Sequence, residues 1–251
     1  MKTAHVRTPQ PNVLLYRHGI ANARESDRTL RRKPSGEARP RMALVLSLVA
    51  GLCGAAIGIP LSALAARSLR ASRRFHWRER VAASVATGAL FLVVASVFGV
   101  AWELPAYLYF AGIAVVLGMV DIAEKRLPNA IIYPSLIVMP LLLAGAAALE
   151  GEWPALLGAG LGAAALFGVY FVLSLISPAG VGMGDVKLAA VIGLALGYLG
   201  WSPILIGSVA GFVIGGLVSV IALLAGKATL QSSIPFGPAM LAGAFLGLLA
   251  S

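Results

Sequence analysis

Charged residues are scarce in this sequence. Asp, Glu, Lys and Arg make up only 12% of its 251 residues, whereas a typical soluble domain has about 25%. Hydrophobic residues account for 59% of the chain, and the mean hydropathy is +0.89. This composition excludes an ordinary soluble globular protein and predicts a polytopic membrane protein.

Cysteine and histidine are also rare. The single cysteine, Cys53, lies in an apolar stretch, which excludes an intrachain disulfide and a Cys-x-x-Cys zinc pair. The three histidines, His5, His18 and His76, all lie in the first 80 residues. A histidine-rich zinc site inside the membrane, and with it a zinc protease, is therefore excluded. We expect the protein to need no metal and no organic cofactor.

Positive charge is concentrated at one end of the chain. Sixteen of the 20 Lys and Arg residues lie in residues 1–80, so the net charge of +10 belongs to that region. Because these basic residues flank apolar spans, they indicate contact with lipid headgroups or a cytoplasmic surface. The expected partner of this charge is membrane lipid, and nucleic acid is not expected.

The chain divides into a polar tail and a membrane domain. Residues 1–41 are polar and basic, and we predict a disordered tail there. Residues 42–251 alternate between breakers and apolar blocks of about 20 residues, the length that spans a bilayer as a helix. The fold class that follows is all-α, a transmembrane bundle of about eight segments, of which the third, sixth and eighth are short. The predicted spans are 42–66, 81–101, 106–121, 130–149, 155–176, 186–200, 203–225 and 238–250.

The loop charges predict an orientation. Loop 67–80 carries six arginines, so the positive-inside rule places it in the cytoplasm. Counting spans from that loop puts both Asp121, at the end of the third span, and Asp185, at the start of the sixth, at the cytoplasmic face. The same count places Lys125, Arg126, Lys187 and Lys227 inside, and Glu103, Glu150 and Glu152 outside.

The N-terminal tail conflicts with this orientation. Eight spans would place residues 1–41 outside, yet they carry ten Lys and Arg residues against three acids. The tail is translocated despite its charge, the first block does not cross fully, or translation starts at Met42. We favour the last hypothesis, which N-terminal sequencing of the native protein would test.

Asp121 and Asp185 are the main candidates for chemistry, because a carboxylate in or near a bilayer is costly and usually marks a function. Two neighbouring carboxyl groups can hydrolyse a peptide when one is ionised and takes a proton from water while the other donates one. Such a pair titrates as a unit. Gly180, Gly182 and Gly184 precede Asp185, and they would permit positive φ and close approach of an extended substrate.

Simpler interpretations exist for each aspartate. Asp185 could serve as the N-cap of the sixth helix, and Asp121 could pair with Lys125 four residues later. The nearby cations, Lys125, Arg126 and Lys187, would anchor helix ends at headgroups or favour an ionised Asp. A proton- or cation-coupled transporter that uses both carboxylates is an alternative function, although the two halves of the chain lack matching broken segments. An inactive scaffold for pilus assembly is a third.

Three motifs in order favour the catalytic interpretation. Asp121 is followed by Leu127-Pro-Asn129, then comes Gly182-Met-Gly-Asp-Val-Lys-Leu188, and Ile234-Pro-Phe-Gly-Pro238 lies near the end of the chain. In these motifs residues 42–251 resemble the prepilin peptidases, or type IV leader peptidases, which are bacterial membrane aspartyl proteases of the Gly-x-Gly-Asp type.

The resemblance implies that Asp121 and Asp185 are the catalytic pair and that Gly182 and Gly184 form the signature turn. It also implies a multi-pass protein of the bacterial inner membrane that removes a short basic leader from type IV or Flp-type prepilins and pseudopilins at the cytoplasmic face.

One departure from the family pattern narrows the expectation. Bifunctional family members carry a large domain with Cys-x-x-Cys pairs between the first two spans, which is associated with N-methylation of the pilin. Here that position holds only loop 67–80, which contains no cysteine. The sequence therefore resembles the short, peptidase-only branch, and methyltransferase activity is not expected.

Overall fold

The structure is a computed structural model that describes residues 39–69, 75–177, 180–226 and 235–251. These residues form eight α-helices and no strand, which confirms the all-α prediction, and each helix covers one predicted span. Of the predicted tail, residues 1–38 lie outside the described residues, as do Lys227 and the loop arginines at 70, 73 and 74. The helices are α1 (Arg39–Ser68), α2 (Trp77–Phe98), α3 (Leu104–Glu124), α4 (Asn129–Glu150), α5 (Trp153–Ile176), α6 (Met183–Leu199), α7 (Trp201–Leu224) and α8 (Gly237–Leu249).

Proline and glycine set most of the helix ends. Helices α3, α5 and α8 have proline in their first turn, where the missing N–H costs no hydrogen bond. Helices α2 and α4 end at Gly99 and Gly151, whose φ angles of 58° and 74° are open to glycine. Lys125 ends α3 in the same left-handed region, with φ 52°. The breakers in the sequence therefore locate the helices to within a few residues.

Six of the eight helices, α1 to α5 and α7, are long and apolar enough to cross a membrane. This supports a multi-pass membrane protein. The prediction that the third span is short is wrong, because α3 extends over 21 residues. Helix α8 has only 13 residues, about 20 Å at 1.5 Å per residue, less than the ~30 Å hydrocarbon core.

Helix α6 lies inside the bundle. It packs against α4, α5, α7 and α8, and its residues from Leu188 to Tyr198 are all buried. Because α6 begins with the Gly-x-Gly-Asp segment, the most enclosed helix of the protein presents Asp185 at its first turn.

Glycines bring the backbones of α5 and α6 into direct contact. A Cβ atom added to Gly193 would lie 2.4 Å from the carbonyl oxygen of Gly162, and one added to Gly197 would lie 2.5 Å from that of Gly158. Gly160, between Gly158 and Gly162, has nothing within 4 Å. Small residues therefore promote close packing on one face of α5 only.

Glycines also bring the backbones of α7 and α8 into direct contact. A Cβ added to Gly243 would meet the Gly207 carbonyl oxygen at 2.4 Å, and one added to Gly247 would meet the Pro203 carbonyl oxygen at 2.4 Å. The four C-terminal helices thus form two tightly packed antiparallel pairs, α5 with α6 and α7 with α8.

Acidic residues lie at both ends of α6. Glu103, Glu150 and Glu152 lie close enough to Tyr198, in the last turn of α6, to act on it electrostatically. Asp185 lies in the first turn, at the other end. The acids predicted to share one membrane side therefore share one end of the bundle.

Candidate active site

Asp121 is held by the start of α8. It lies in the last turn of α3 and is only 4% exposed. Its Oδ2 accepts a hydrogen bond of 3.0 Å from the backbone N–H of Gly237, the first residue of α8. A buried carboxylate needs such a donor, and the positive end of a helix dipole favours negative charge. The hydrogen bond described for this side chain is therefore tertiary.

Asp185 is held by its own turn. Its Oδ2 accepts a hydrogen bond of 3.0 Å from the backbone N–H of Gly182, the N-cap residue of α6. The simpler interpretation of Asp185 as the N-cap does not hold, since Asp185 is the third residue of the helix. Its carboxylate nevertheless satisfies one free N–H at the helix start, as an acid at this position does in a capping box. This contact uses one of the two carboxylate oxygens.

The fold brings the two aspartates to one place. They are 64 residues apart in sequence, yet the turns that support them both contact Leu127. Leu127 packs between their supports: a Cβ added to Gly184 would lie 3.1 Å from Leu127 Cβ, and one added to Gly237 would lie 3.5 Å from Leu127 Cδ2. The leucine of the Leu-Pro-Asn motif thus spaces the turn before Asp185 from the turn that holds Asp121.

Of the two glycines in the signature turn, Gly182 and Gly184, Gly184 is the one where space for a Cβ is tight. Gly182 has φ −76°, and neither Gly180 nor Gly184 has positive φ. The positive φ that these glycines would permit is therefore not adopted at Gly182 or Gly184. Instead, a Cβ on Gly182 would lie 3.4 Å from Asp185 Oδ2, and Gly184 lies against Leu127. Both positions of the signature turn accordingly face the candidate site.

Lys187 connects the site to α4. Its Nζ donates to the Asn129 side-chain oxygen at 3.0 Å and to the Tyr133 hydroxyl at 2.9 Å. Nζ also lies 4.8 Å from the centre of the Tyr133 ring, within the range of a cation–π interaction. This cation was expected either at headgroups or beside an ionised Asp. Its contacts connect the first two turns of α6 to the first two turns of α4.

Arg126 plays a comparable part for α1. Its Nε donates to Glu124 at 2.5 Å, and its Nη2 donates to the Ser68 carbonyl oxygen at 2.9 Å. A carbonyl at the last turn of α1 is thereby satisfied by the loop after Asp121. This basic residue stabilises the arrangement of helix ends around the site.

Sequence reasoning missed three supporting residues: Gly237, Leu127 and Asn129. All three belong to the motifs that carry the family resemblance, so a signal was present. The sequence did not reveal their roles, because each role is a contact with a distant segment. The described contacts show that the three motifs converge on the two aspartates.

Three known proteins that are similar to this chain share one name. It is 34% identical over 170 residues to the "Prepilin leader peptidase/N-methyltransferase" of Bacillus subtilis (strain 168), which covers 67% of this chain and 64% of the relative. The proteins of the same name from Stutzerimonas stutzeri and Pseudomonas aeruginosa are 30% and 28% identical, each over 66% of this chain and 56% of the relative. The chain therefore matches less than two thirds of the length of these relatives. No solved structure matches it.

A family-level comparison covers the segment that holds both aspartates. Residues 108–220 match the sequence model of the "Type IV leader peptidase family". This segment runs from α3 into α7 and includes Asp121, the Leu-Pro-Asn motif and Asp185. Through this segment and the relatives above, the chain belongs to the type IV leader peptidase family.

Proposed function

We propose that this chain is an intramembrane aspartyl endopeptidase that removes the leader from type IV or Flp-type prepilins and pseudopilins. The observation that carries the proposal is the convergence of Asp121 and Asp185, each held by a backbone N–H, at one end of the bundle. Prepilins as the substrate class are supported by the relatives, which are named prepilin leader peptidase/N-methyltransferase.

The two carboxyl groups perform acid–base catalysis on a bound water. The ionised carboxylate takes a proton from water, and the hydroxide oxygen bonds to the carbonyl carbon of the scissile peptide. The protonated carboxyl gives its proton to the carbonyl oxygen. When the C–N bond breaks, a proton moves to the leaving amine, and a carboxylic acid and an amine result. Each positioned acid or base contributes about 10²–10⁴-fold to the rate.

Gly182 and Gly184 make room for the substrate in this scheme. The scissile segment must be extended, because the amides of a helix are shielded by their own hydrogen bonds. A turn without Cβ atoms lets the extended backbone come close to Asp185. The turn lies at the N-terminal end of α6. The substrate's apolar helix therefore stays in the bilayer while its leader junction reaches the dyad.

The reaction takes place at the cytoplasmic face of the bacterial inner membrane. The arginine-rich loop 67–80 favours the inside, and Arg126 binds the Ser68 carbonyl at the edge of that loop. The dyad is therefore on the side where a newly made basic leader remains.

We infer that the chain does not methylate the product. The segment between α1 and α2 is short, and the one cysteine, Cys53, lies within α1. A paired Cys-x-x-Cys site of the kind associated with methylation needs four cysteines. The mature pilin released by this chain should carry a free N-terminal amine, which mass spectrometry can read directly.

Co-expression with a candidate prepilin tests the function. The full chain should convert the prepilin to its mature form, seen as a gel shift and confirmed by the mass of the new N-terminus. Asp121→Asn and Asp185→Asn, tested separately, should each lower processing by at least about 10³-fold, since removal of either group abolishes the shared proton transfer.

A carboxylate at the other end of the bundle provides the control. Glu152→Asn removes an exposed acid that is remote from the dyad, and it should leave processing unchanged. Processing that survives either aspartate change would refute the dyad mechanism. A folded wild-type chain that leaves every co-expressed prepilin and pseudopilin intact would refute the substrate class.

A further inference from the structure

Tyr170 lies opposite Asp185 in the packing of α5 on α6. Gly158 faces Gly197, and Gly162 faces Gly193, so each step of four residues along α5 matches a step of four back along α6. Two further steps place residue 166 opposite 189 and residue 170 opposite 185. Leu166 and Ala189 do line one small cavity together, as this register requires.

The surroundings of Tyr170 agree with that position. Tyr170 is only 3% exposed, and the Asp185 charge acts on it. It also lines the cavity that contains Leu166 and Ala189. Tyr170 is thus a buried polar aromatic residue beside one of the two carboxylates, and no motif of the sequence includes it.

The Tyr170 ring also contacts the segment that holds the other carboxylate. Its centroid lies 5.6 Å from that of Phe212 on α7 and 6.4 Å from that of Phe236. Phe212 and Phe236 are themselves 5.6 Å apart, so the three rings form one cluster. Phe236 immediately precedes Gly237, whose N–H binds Asp121.

These contacts form a chain between the two aspartates. Asp185 lies opposite Tyr170 in the register of α5 and α6, Tyr170 packs on Phe236, and the next residue, Gly237, binds Asp121. A Cβ on Gly215 would lie 2.4 Å from the Phe236 ring, so α7 fixes the ring from behind. Little freedom is left for Phe236 to move without moving Gly237.

We propose that Tyr170 is a positioning residue, whose ring packs with Phe212 and Phe236 to set the separation and orientation of the Asp121 and Asp185 carboxylates. The proposal rests on the proposed function, because it assigns a role in the same reaction. A misplacement of about 1 Å in reacting groups can cost about 100-fold in rate. The ring is the part that acts, and the hydroxyl is secondary.

Substitutions at Tyr170 separate the ring from the hydroxyl. Tyr170→Leu should lower kcat for prepilin cleavage by at least about 10-fold and change KM by less than about 2-fold, because the substrate still binds while the dyad is misaligned. Tyr170→Phe keeps the ring and should retain kcat within about 3-fold of the wild type.

Phe236 and Phe212 extend the test. Phe236→Leu should lower kcat as Tyr170→Leu does, and the double variant should lose little more than either single one, because residues that act as a unit are not additive. Phe212 is partly exposed at 42%, so Phe212→Leu is the variant least able to impair folding. It should lower kcat several-fold.

A second aromatic pair on α5 is the matched control. Phe167 and Phe171 stack at 5.9 Å on a more exposed face of the same helix. Phe171→Leu removes an equal ring and should leave kcat unchanged. A general effect of ring loss on α5 would lower the activity of this variant too.

The outcomes distinguish the two proposals. If the wild type cleaves and the Asp121→Asn and Asp185→Asn variants do not, the dyad stands. If the dyad stands, a Tyr170→Leu or Phe212→Leu variant whose kcat equals that of the wild type would overturn the role of the ring cluster. Equal losses in Tyr170→Phe and Tyr170→Leu would also overturn it, since the hydroxyl would then be the active part.

Discussion

The backbone N–H of Gly237 donates a hydrogen bond of 3.0 Å to Oδ2 of Asp121, 116 residues earlier in the chain. A Cβ at position 237 would lie 2.8 Å from that oxygen and 3.3 Å from Asp121 Cγ. Glycine is therefore the residue that allows the helix α8 start to approach this carboxylate. The contact connects the Pro-Phe-Gly-Pro motif to Asp121, one member of the proposed dyad, and gives the motif a physical role.

Gly237→Ala should lower prepilin cleavage by at least about 10-fold. The added methyl group cannot occupy its position without moving Asp121 or α8, and small displacements of a catalytic group are costly. The measurement is kcat in detergent or in reconstituted membranes, with prepilin in excess. Unfolding temperatures of the variant and the wild type show whether the fold persists.

Gly216→Ala is the matched control for this substitution. Gly216 lies within α7, and a Cβ there would have nothing within 4 Å. The change should leave kcat unaltered and raise stability slightly, since alanine is a better helix former than glycine by up to about 1 kcal/mol. Full activity of Gly237→Ala would contradict the role assigned to the Gly237–Asp121 contact.

The connection from Lys187 to α4 predicts coupled stability effects. Asn129→Ala and Lys187→Met each remove one partner of the hydrogen bond of 3.0 Å between them. Each should destabilise the protein by about 0.5–1.5 kcal/mol. The double variant should lose clearly less than the sum, which thermal unfolding in detergent can measure.

Tyr133 offers an internal comparison for that pair. Tyr133→Phe removes the hydroxyl that Lys187 contacts at 2.9 Å but keeps the ring under Nζ. Tyr133→Phe should destabilise the protein less than the double variant of Asn129→Ala and Tyr133→Ala, which removes the ring as well. Strictly additive losses for Asn129→Ala and Lys187→Met would show that the two side chains are not coupled.

The helices of this protein could be read from its sequence because their determinants are local. Apolar blocks set the lengths, and breakers such as Pro154 and Gly151 set the ends. The tertiary partners could not be read in the same way. Nothing near Asp121 in sequence indicates that Gly237 will meet it, and Tyr170 resembles any other aromatic residue of a span until the register of α5 and α6 is known.

The glycines show the same limit in another form. Composition alone predicts that small residues bring helices close, but Gly158 and Gly162 contact α6 while Gly160 faces open space. The sequence spacing of four residues is compatible with either face. Only the packing of α6 identifies which stripe is used.

Gly193→Ala should therefore destabilise the bundle. Its Cβ would lie 2.4 Å from the Gly162 carbonyl oxygen and 2.6 Å from Ala163 Cα, both backbone atoms that cannot rotate away. Overpacking of this kind typically costs about 1–3 kcal/mol. Gly160→Ala, on the open face of α5, should unfold at the wild-type temperature or above it. Equal unfolding temperatures for the two variants would contradict the described contact between α5 and α6.

Labelling of single cysteines would test the proposed orientation, since Cys53 is the one native cysteine and Cys53→Ser gives a cysteine-free chain. His76→Cys introduces an exposed thiol between α1 and α2 without removing an arginine, and Glu152→Cys introduces one between α4 and α5. In intact cells a membrane-impermeant maleimide should label Glu152→Cys, while His76→Cys should react only after permeabilisation. Arg126 joins the loop after Asp121 to Ser68, next to the His76 loop, so labelling of position 76 reports the side that holds the dyad. The reverse pattern would place the aspartates outside, where a leader still on the cytoplasmic side could not reach them.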